Sequence, residues 1–226
     1  MTDNMFTERK SLVERLIAEG VLRSKPVIKA MIKVPREKFV PPELKRQSYV
    51  DTPLPIGYGK TISAPHMVAM MNELLSLEVG NRVLEIGAGS GYHAATIAEI
   101  VAPEGAVNPG HVYTVEILPE LAKMAEKNLR ETGYSSRVTV IQGDGSMGYA
   151  AAAPYDRILV TAAAPRIPPP LIEQLKEEGL LVLPVGGQYG FQELLTVRKE
   201  ASGKVKVRSH GGCAFVPLMG EYGFSS

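Results

Sequence analysis

The stretch from Val83 to Tyr92, reading VLEIGAGSGY, constrains this chain more than any other. Val83, Leu84 and Ile86 form a short apolar run of the kind buried in a sheet, and glycines follow at once at 87, 89 and 91. From His93 to Ile100 apolar residues return at helical spacing. A strand that runs into a glycine turn and then a helix predicts an α/β fold. Glycine accepts positive φ and lets another group approach the backbone with no Cβ in the way. In an open α/β sheet, ligands bind in the crevice beyond the carboxyl end of such a strand.

The spacing narrows the ligand. A dinucleotide fingerprint is G-x-G-x-x-G, but here Tyr92 stands where the third glycine belongs and Gly91 comes one step early. The pattern, opened by Glu85, is E-x-G-x-G-x-G. It resembles the form found in S-adenosylmethionine-dependent methyltransferases, whose ligand has no pyrophosphate to seat on a helix N-terminus. An ordinary tight turn between strand and helix is the plainer alternative. An NAD-dependent dehydrogenase is a more distant one, separated by measuring which cofactor binds.

Composition bounds the rest. With 226 residues, 45% of them hydrophobic and 22% charged, the chain has the make-up of a globular protein with a full core. A net charge of +1 argues against a nucleic-acid partner, which normally requires a basic excess. One cysteine, Cys213, excludes an internal disulfide and a cysteine-built zinc site, and the four histidines are too scattered to form a metal site. No apolar run approaches the ~18 residues that span a membrane. The first residues lack the basic and apolar blocks of a signal peptide. The expectation is a cytoplasmic monomer without membrane or nucleic-acid partners.

Two helices are expected first. Thr7 caps one that carries Leu12, Val13, Leu16 and Ile17 and stops at Gly20; Ser24 and Pro26 open another that ends before Pro35. A DNA-reading helix pair is conceivable, but Glu8, Glu14 and Glu19 balance its basic residues, which favours a packing element. From Pro35 to Ile62 proline and glycine predict an irregular stretch with brief extended pieces, of a length usually functional. Ser63 or Ala64 then caps a helix begun by Pro65. Core strands are expected at Val83–Ile86, His111–Val115, Arg137–Gln142, Pro154–Val160 and Leu180–Pro184, with helices at Leu118–Arg130 and Ile172–Glu178, the latter closed by Gly179.

This alternation predicts a doubly wound, mostly parallel sheet. Glu193–Lys199 and Lys204–Ser209 add an antiparallel hairpin on the edge, and Cys213–Leu218 is a last extended piece. The organisation is one domain over 1–226: N-terminal helices and irregular segment (1–62), ligand-binding core (63–186) and antiparallel C-terminal edge (187–226).

Three acidic residues fall at the ends of successive core strands: Glu85, Glu116 and Asp144. A carboxylate only accepts hydrogen bonds. Glu116 therefore suits a ribose diol, Asp144 an adenine amino group and Glu85 the aminoacyl end of the same cofactor. Each alone is more often a solvated charge; the succession favours a site. After the fourth strand, Thr161-Ala-Ala-Ala-Pro165 lacks the Asn/Asp-Pro-Pro-aromatic sequence typical of enzymes that methylate exocyclic amines. No general base stands out. An acceptor that needs no deprotonation fits best, and a carboxylate, with a reference pKa of about 4, is already ionised.

Further segments carry a more specific resemblance: Gly57–Met67 (GYGKTISAPHM), Gly143–Gly148 (GDGSMG), Ala153–Asp156, Ala163–Pro165, Leu171–Leu175, Leu183–Gly186 and Phe215–Leu218. With these the chain resembles the protein-L-isoaspartate (D-aspartate) O-methyltransferases, the archaeal members especially, from about Leu12 to its end. The resemblance implies a class I, Rossmann-like methyltransferase fold with an unusual edge-strand order. It implies methyl transfer from S-adenosyl-L-methionine, leaving S-adenosyl-L-homocysteine, to the α-carboxylate of L-isoaspartyl residues in damaged proteins and peptides. D-Aspartyl residues stay open as substrates. The ester then collapses to a succinimide, whose hydrolysis restores some normal aspartate.

By the same resemblance Ser63 is the active-site serine, and Thr61, Ile62 and His66 lie against cofactor or acceptor. Glu85, Gly87, Gly89, Gly91, Glu116, Ile117, Asp144, Gly145 and Gln192 would line the cofactor site, and Ile62, Ser63, Val216 and Leu218 the peptide. The loop from Pro103 to Gly110 is longer than the family's usual connection and is expected to leave the cofactor site alone. A methyltransferase for a small molecule or nucleic acid, and a cofactor-binding module without turnover, remain the other readings. An isoaspartyl peptide assayed against its aspartyl twin separates them.

Overall fold

The computed structural model describes the backbone of residues 2–225 and the side chains of 4–225. A seven-stranded sheet is built from β3 (Arg82–Ile86), β4 (His111–Glu116), β5 (Val138–Gln142), β6 (Tyr155–Val160), β7 (Leu175–Gly186), β8 (Gln192–Lys199) and β9 (Val205–Cys213), in the order β5-β4-β3-β6-β7-β8-β9. Pairing is parallel from β5 to β7 and antiparallel for the last two strands. Beyond β6 the strands lie in sequence order, so the edge that the sequence left open is a run of antiparallel neighbours. The order reverses at β3, with β4 on one side and β6 on the other, and that opens a crevice at its carboxyl end.

Strand β3 is buried on both faces. Val83 joins the core under α3 (Pro65–Leu75), α4 (Tyr92–Val101) and α5 (Pro119–Glu131), while Leu84 and Ile86 join the one under α6 (Pro169–Gln174). Every residue of α4 is buried, because α2 (Lys25–Lys33) lies across its outer side. This arrangement buries Glu99, which meets Lys33 Nζ at 2.8 Å and Arg137 Nη1 at 3.2 Å. The N-terminal helices are a packing element: Leu12, Val13 and Leu16 of α1 (Thr2–Ala18) and Val27 and Met31 of α2 are core residues. Arg9 joins them, with Nε on Tyr49 Oη (2.7 Å), Nη1 on Ile32 O (2.9 Å) and Nη2 on Glu37 (3.0 Å).

Three helix boundaries correct or narrow the sequence reading. Helix α1 begins at Thr2, so Thr7 lies within it; Asn4 Nδ2 donates to Glu8 Oε1 across the added turn. Of the two candidate caps of α3 the structure takes Ala64, with Pro65 beginning the helix as expected, and no side chain of its own caps it. Asp51 does so from another segment, accepting the His66 N–H at 2.9 Å.

The third difference is α6, which ends at Gln174 and does not run to Glu178. Leu175 pairs with Tyr155 in the sheet, and the left-handed residue is Glu178 (φ 59°) rather than Gly179. Lys199 Nζ donates to the carbonyls of Ile172 (2.9 Å) and Leu175 (2.8 Å), satisfying acceptors that a longer helix would have used. Lys199→Met is expected to cost about 1 kcal/mol, since two charge-assisted bonds to a part-exposed helix end are lost. Urea unfolding measures it, and an unchanged midpoint would show that water serves these carbonyls equally well.

The irregular segment contains a short hairpin, β1 (Leu54–Gly57) and β2 (Lys60–Ile62), as its brief extended pieces. Ile56 of β1 packs against Gly89, which brings this hairpin over the glycine turn. The Pro103–Gly110 loop lies at the amino end of the sheet, where Gly110 N–H donates to Val101 O, away from the crevice. Among the described residues no helix is long and apolar enough to cross a membrane.

Candidate active site

The glycine turn begins where β3 ends. Gly87, Gly89 and Gly91 take φ of 95°, 52° and 87°, values that L side chains rarely adopt. Gly87 also lies so close to β6 that a Cβ there would strike Thr161 Oγ1. Gly91 serves packing: it is the N-cap of α4, and a Cβ would press on Ala125 and Leu129 of α5. It does not line the hollow beside Glu116.

Glu116, at the end of β4, is 6% exposed. Its Oε2 accepts the Gly89 N–H (2.9 Å) and its Oε1 the Leu118 N–H (3.1 Å). One carboxylate thus holds both the glycine turn and the start of α5. Beside it lies a partly open hollow. Glu116, Gly87, Gly89 and Gly145 line it with an apolar wall of Ile86, Val115, Ile117, Leu121 and Leu218. Gly145 sits against Ile86 where no side chain would fit.

Two more hollows adjoin this one. A narrow chamber is lined by Ile62, Ser63, Gly87 to Ser90, Tyr92 and His93. An open groove of about 660 Å³ runs along Ser63, His66, Met67 and Tyr189 to Cys213 through Pro217. Thr61 and Thr161 line all three. The Thr161 hydroxyl donates to Gly87 O (2.8 Å) and lies 3.1 Å from Ile86 O, so it is turned onto the backbone of the turn. Ser63, in contrast, has no hydrogen-bond partner for its hydroxyl among the described residues. His66 Nδ1 lies 3.0 Å from the Asp51 carboxylate, which leaves its outer edge to the groove. Val216 lines both the groove and the hollow beside Glu116, held near the end of β6 by its carbonyl on Ala163 N–H (2.8 Å).

Three residues expected at the cofactor are placed otherwise. Asp144 does not line the hollow: Oδ1 accepts from Ser146 N and Oγ (2.8 and 2.7 Å) and Oδ2 from the Glu221 N–H (2.8 Å), so it anchors the C-terminal segment. Gln192, 3% exposed, binds both backbone groups of Phe215 and the carbonyl of Gly187. Glu85 is wholly buried under the turn, its Oε2 accepting from Thr114 Oγ1 at 2.5 Å and its Oε1 without a partner. Burial, first of all, pushes its pKa up to about 8, with Glu116 adding to the rise and the Thr114 hydroxyl opposing it.

Desolvation also acts on two other groups near the site, buried His93 and half-buried Cys213. Desolvation lowers His93 to about 3, with Nε2 lying 3.1 Å from Asn72 Oδ1, and raises the Cys213 thiol to about 11. Reading the sequence missed Thr161, where the segment was searched only for an amine-binding motif, and Leu121 and Met219, which carry no motif signal; Lys60 and Phe215 lie in segments that carry the family resemblance but were given no role. Among the described residues no group of acidic, histidine or cysteine side chains could hold a metal ion.

Comparison with known proteins agrees with this geometry. The family model for protein-L-isoaspartate(D-aspartate) O-methyltransferase matches residues 7–223. A protein-L-isoaspartate O-methyltransferase of Hyperthermus butylicus is 60% identical over 96% of this chain and 90% of its own length, and one of Methanopyrus kandleri is 57% identical over 98% and 96%. Among solved structures, one named protein-L-isoaspartate O-methyltransferase superposes with a TM-score of 0.84 at 30% identity, covering 95% of this chain and 67% of that one. Another, from Plasmodium falciparum and described as an isoaspartate methyltransferase in complex with S-adenosyl-L-homocysteine, superposes with a TM-score of 0.81 at 27% identity, covering 93% and 98%. With a glycine turn built for close approach, a carboxylate across from it and relatives matched over nearly their whole lengths, the chain belongs to the protein-L-isoaspartate (D-aspartate) O-methyltransferase family.

Proposed function

We propose that the three hollows divide one reaction among them. The hollow beside Glu116 takes the nucleoside, the narrow chamber the aminoacyl end, and the open groove the peptide, with transfer where they meet at Thr61 and Thr161. The enzyme is a protein carboxyl O-methyltransferase that uses S-adenosyl-L-methionine. It esterifies the free α-carboxylate of L-isoaspartyl residues in damaged proteins, the first step of their repair. The observation that carries the assignment is the continuity of a glycine-walled, carboxylate-bounded hollow with a groove at Ser63.

The residues present fit the cofactor: the walls are apolar, Gly87 and Gly145 sit where a side chain would collide, and Glu116 is the one acidic group lining the hollow. Glu116 would accept the two ribose hydroxyls on lone pairs left by Gly89 and Leu118. Ile117 and Leu121 would cover the base, and Gly145 would let it lie close. When bound, S-adenosyl-L-methionine supplies a methyl group made electrophilic by its sulfonium. The acceptor carboxylate needs no general base, so the chain's task is alignment and removal of water. Ser63, with its hydroxyl uncommitted, would donate to one carboxylate oxygen and aim the other.

Methyl transfer to a synthetic isoaspartyl peptide, with no transfer to the aspartyl twin, is the expected result. Equal labelling of both would refute the acceptor. Ser63→Ala should lower kcat about tenfold, the worth of one lost hydrogen bond to a charged group. The dissociation constant for the cofactor should stay within about twofold by the same reasoning, since that bond goes to the acceptor. Because Ala64 and Asp51 shape the start of α3, a loss of stability in place of kcat would count against the role in orienting the acceptor.

A further inference from the structure

The open groove has an aromatic rim that core packing does not explain. Tyr189 is 91% exposed and Phe191 74%, yet both belong to a loop whose base is firmly held. Gly187 N–H donates to Phe191 O (3.1 Å), closing the turn between β7 and β8. The buried Gln192 amide then ties that turn to the groove floor: Nε2 donates to Gly187 O (3.2 Å) and Phe215 O (3.1 Å), and Oε1 accepts the Phe215 N–H (2.7 Å). Phe191 rests its ring over Gly212. Tyr189 is left at the tip, lining the groove opposite Pro53 and Met67. An exposed ring on a braced loop loses little freedom on covering a ligand, so the contact it gains is little offset by ordering.

The groove is also almost free of charge. Apart from His66 no acidic or basic side chain among the described residues lines it, and partial burial raises the Cys213 thiol, keeping it protonated. A surface of this kind accepts an uncharged, apolar side chain at little desolvation cost and a charged one poorly.

We propose that Tyr189 is a specificity-determining residue for the peptide: its ring covers a side chain next to the isoaspartyl residue and favours apolar neighbours. Gln192 is the positioning residue that fixes the ring relative to Phe215 and Val216. This rests on the reading of the groove as the peptide site.

The test is steady-state kinetics of the full chain on two synthetic isoaspartyl peptides, flanked on both sides by leucine or by glycine. The wild type is expected to prefer the leucine peptide in kcat/KM by about tenfold, the discrimination typical of an apolar contact. Tyr189→Ala should erase the preference by raising KM for the leucine peptide, with kcat and the KM for S-adenosyl-L-methionine unchanged, and Tyr189→Phe should retain it. A wild type without preference, or a Tyr189→Ala enzyme whose preference is intact, overturns the proposal. Ala214→Trp, which fills the groove floor, separates the two levels. If it raises KM for both peptides while Tyr189→Ala does nothing, only the role of Tyr189 fails; if it leaves both KM values unchanged, the groove is not the peptide site and both readings fall.

Discussion

Glu116→Ala is expected to raise the dissociation constant for S-adenosyl-L-methionine about 100-fold, which corresponds to about 2.7 kcal/mol. Two losses combine. The ribose hydroxyls lose a charged acceptor, at about 1.5–3 kcal/mol for such bonds. The Gly89 N–H, held at 2.9 Å by the same carboxylate, is also released, so the glycine turn loses the strut that keeps it open. Glu116→Gln keeps one acceptor oxygen and should fall between wild type and Ala. At saturating cofactor kcat should change little, because the contact is made equally in ground and transition states. Calorimetric titration with S-adenosyl-L-homocysteine gives the answer, and an affinity equal to wild type would remove Glu116 from the ribose.

The second large effect concerns Glu85 and is one of stability. Burial raises its pKa in the folded protein to about 8, while the unfolded chain keeps the ordinary carboxyl value of 4.5. The folded protein therefore holds a proton that the unfolded chain gives up between those values. Stability from the neutral carboxyl is fully present below pH 4.5 and declines as pH rises through 8. The decline is on the order of 5 kcal/mol, at 1.36 kcal/mol for each unit of pKa difference. Glu85→Gln cannot ionise but still offers an oxygen to the Thr114 hydroxyl, now 2.5 Å from Glu85 Oε2. The variant should match wild type near pH 4.5 and exceed it progressively toward pH 9, in urea unfolding without cofactor. Parallel stability curves would show that Glu85 is ionised in the folded protein and that its Oε1 finds a partner.

Both effects arise from neighbouring strands whose acidic ends look alike in sequence. Glu116 points to the crevice and Glu85 into the core beneath it. The alternation of side chains along β3 places Glu85 on the same face as Val83, under α4, and because both faces of this central strand are covered, its carboxyl meets no solvent.

Much of the architecture was legible in the chain itself. The apolar run of β3, the glycines after it and the helical spacing of α4 specify strand, turn and helix through local backbone preference, and the alternation that follows specifies a parallel sheet. The Thr-Ile-Ser-Ala-Pro-His block, the acidic ends of β4 and β5 and the absence of an amine-binding sequence pointed to the chemistry. What only the tertiary structure decided was the employment of individual polar side chains. Asp144 is committed to Glu221, 77 residues on, and Gln192 to Phe215, 23 residues on. Gly91 is used up against α5, Thr161 stands at the junction of three hollows, and α6 stops early because Leu175 is drawn into the sheet beside Tyr155. Periodicity reports which face a residue occupies within its own element. The partner its polar atoms find is set by segments distant in sequence that packing brings within 3 Å, and no local pattern encodes that distance.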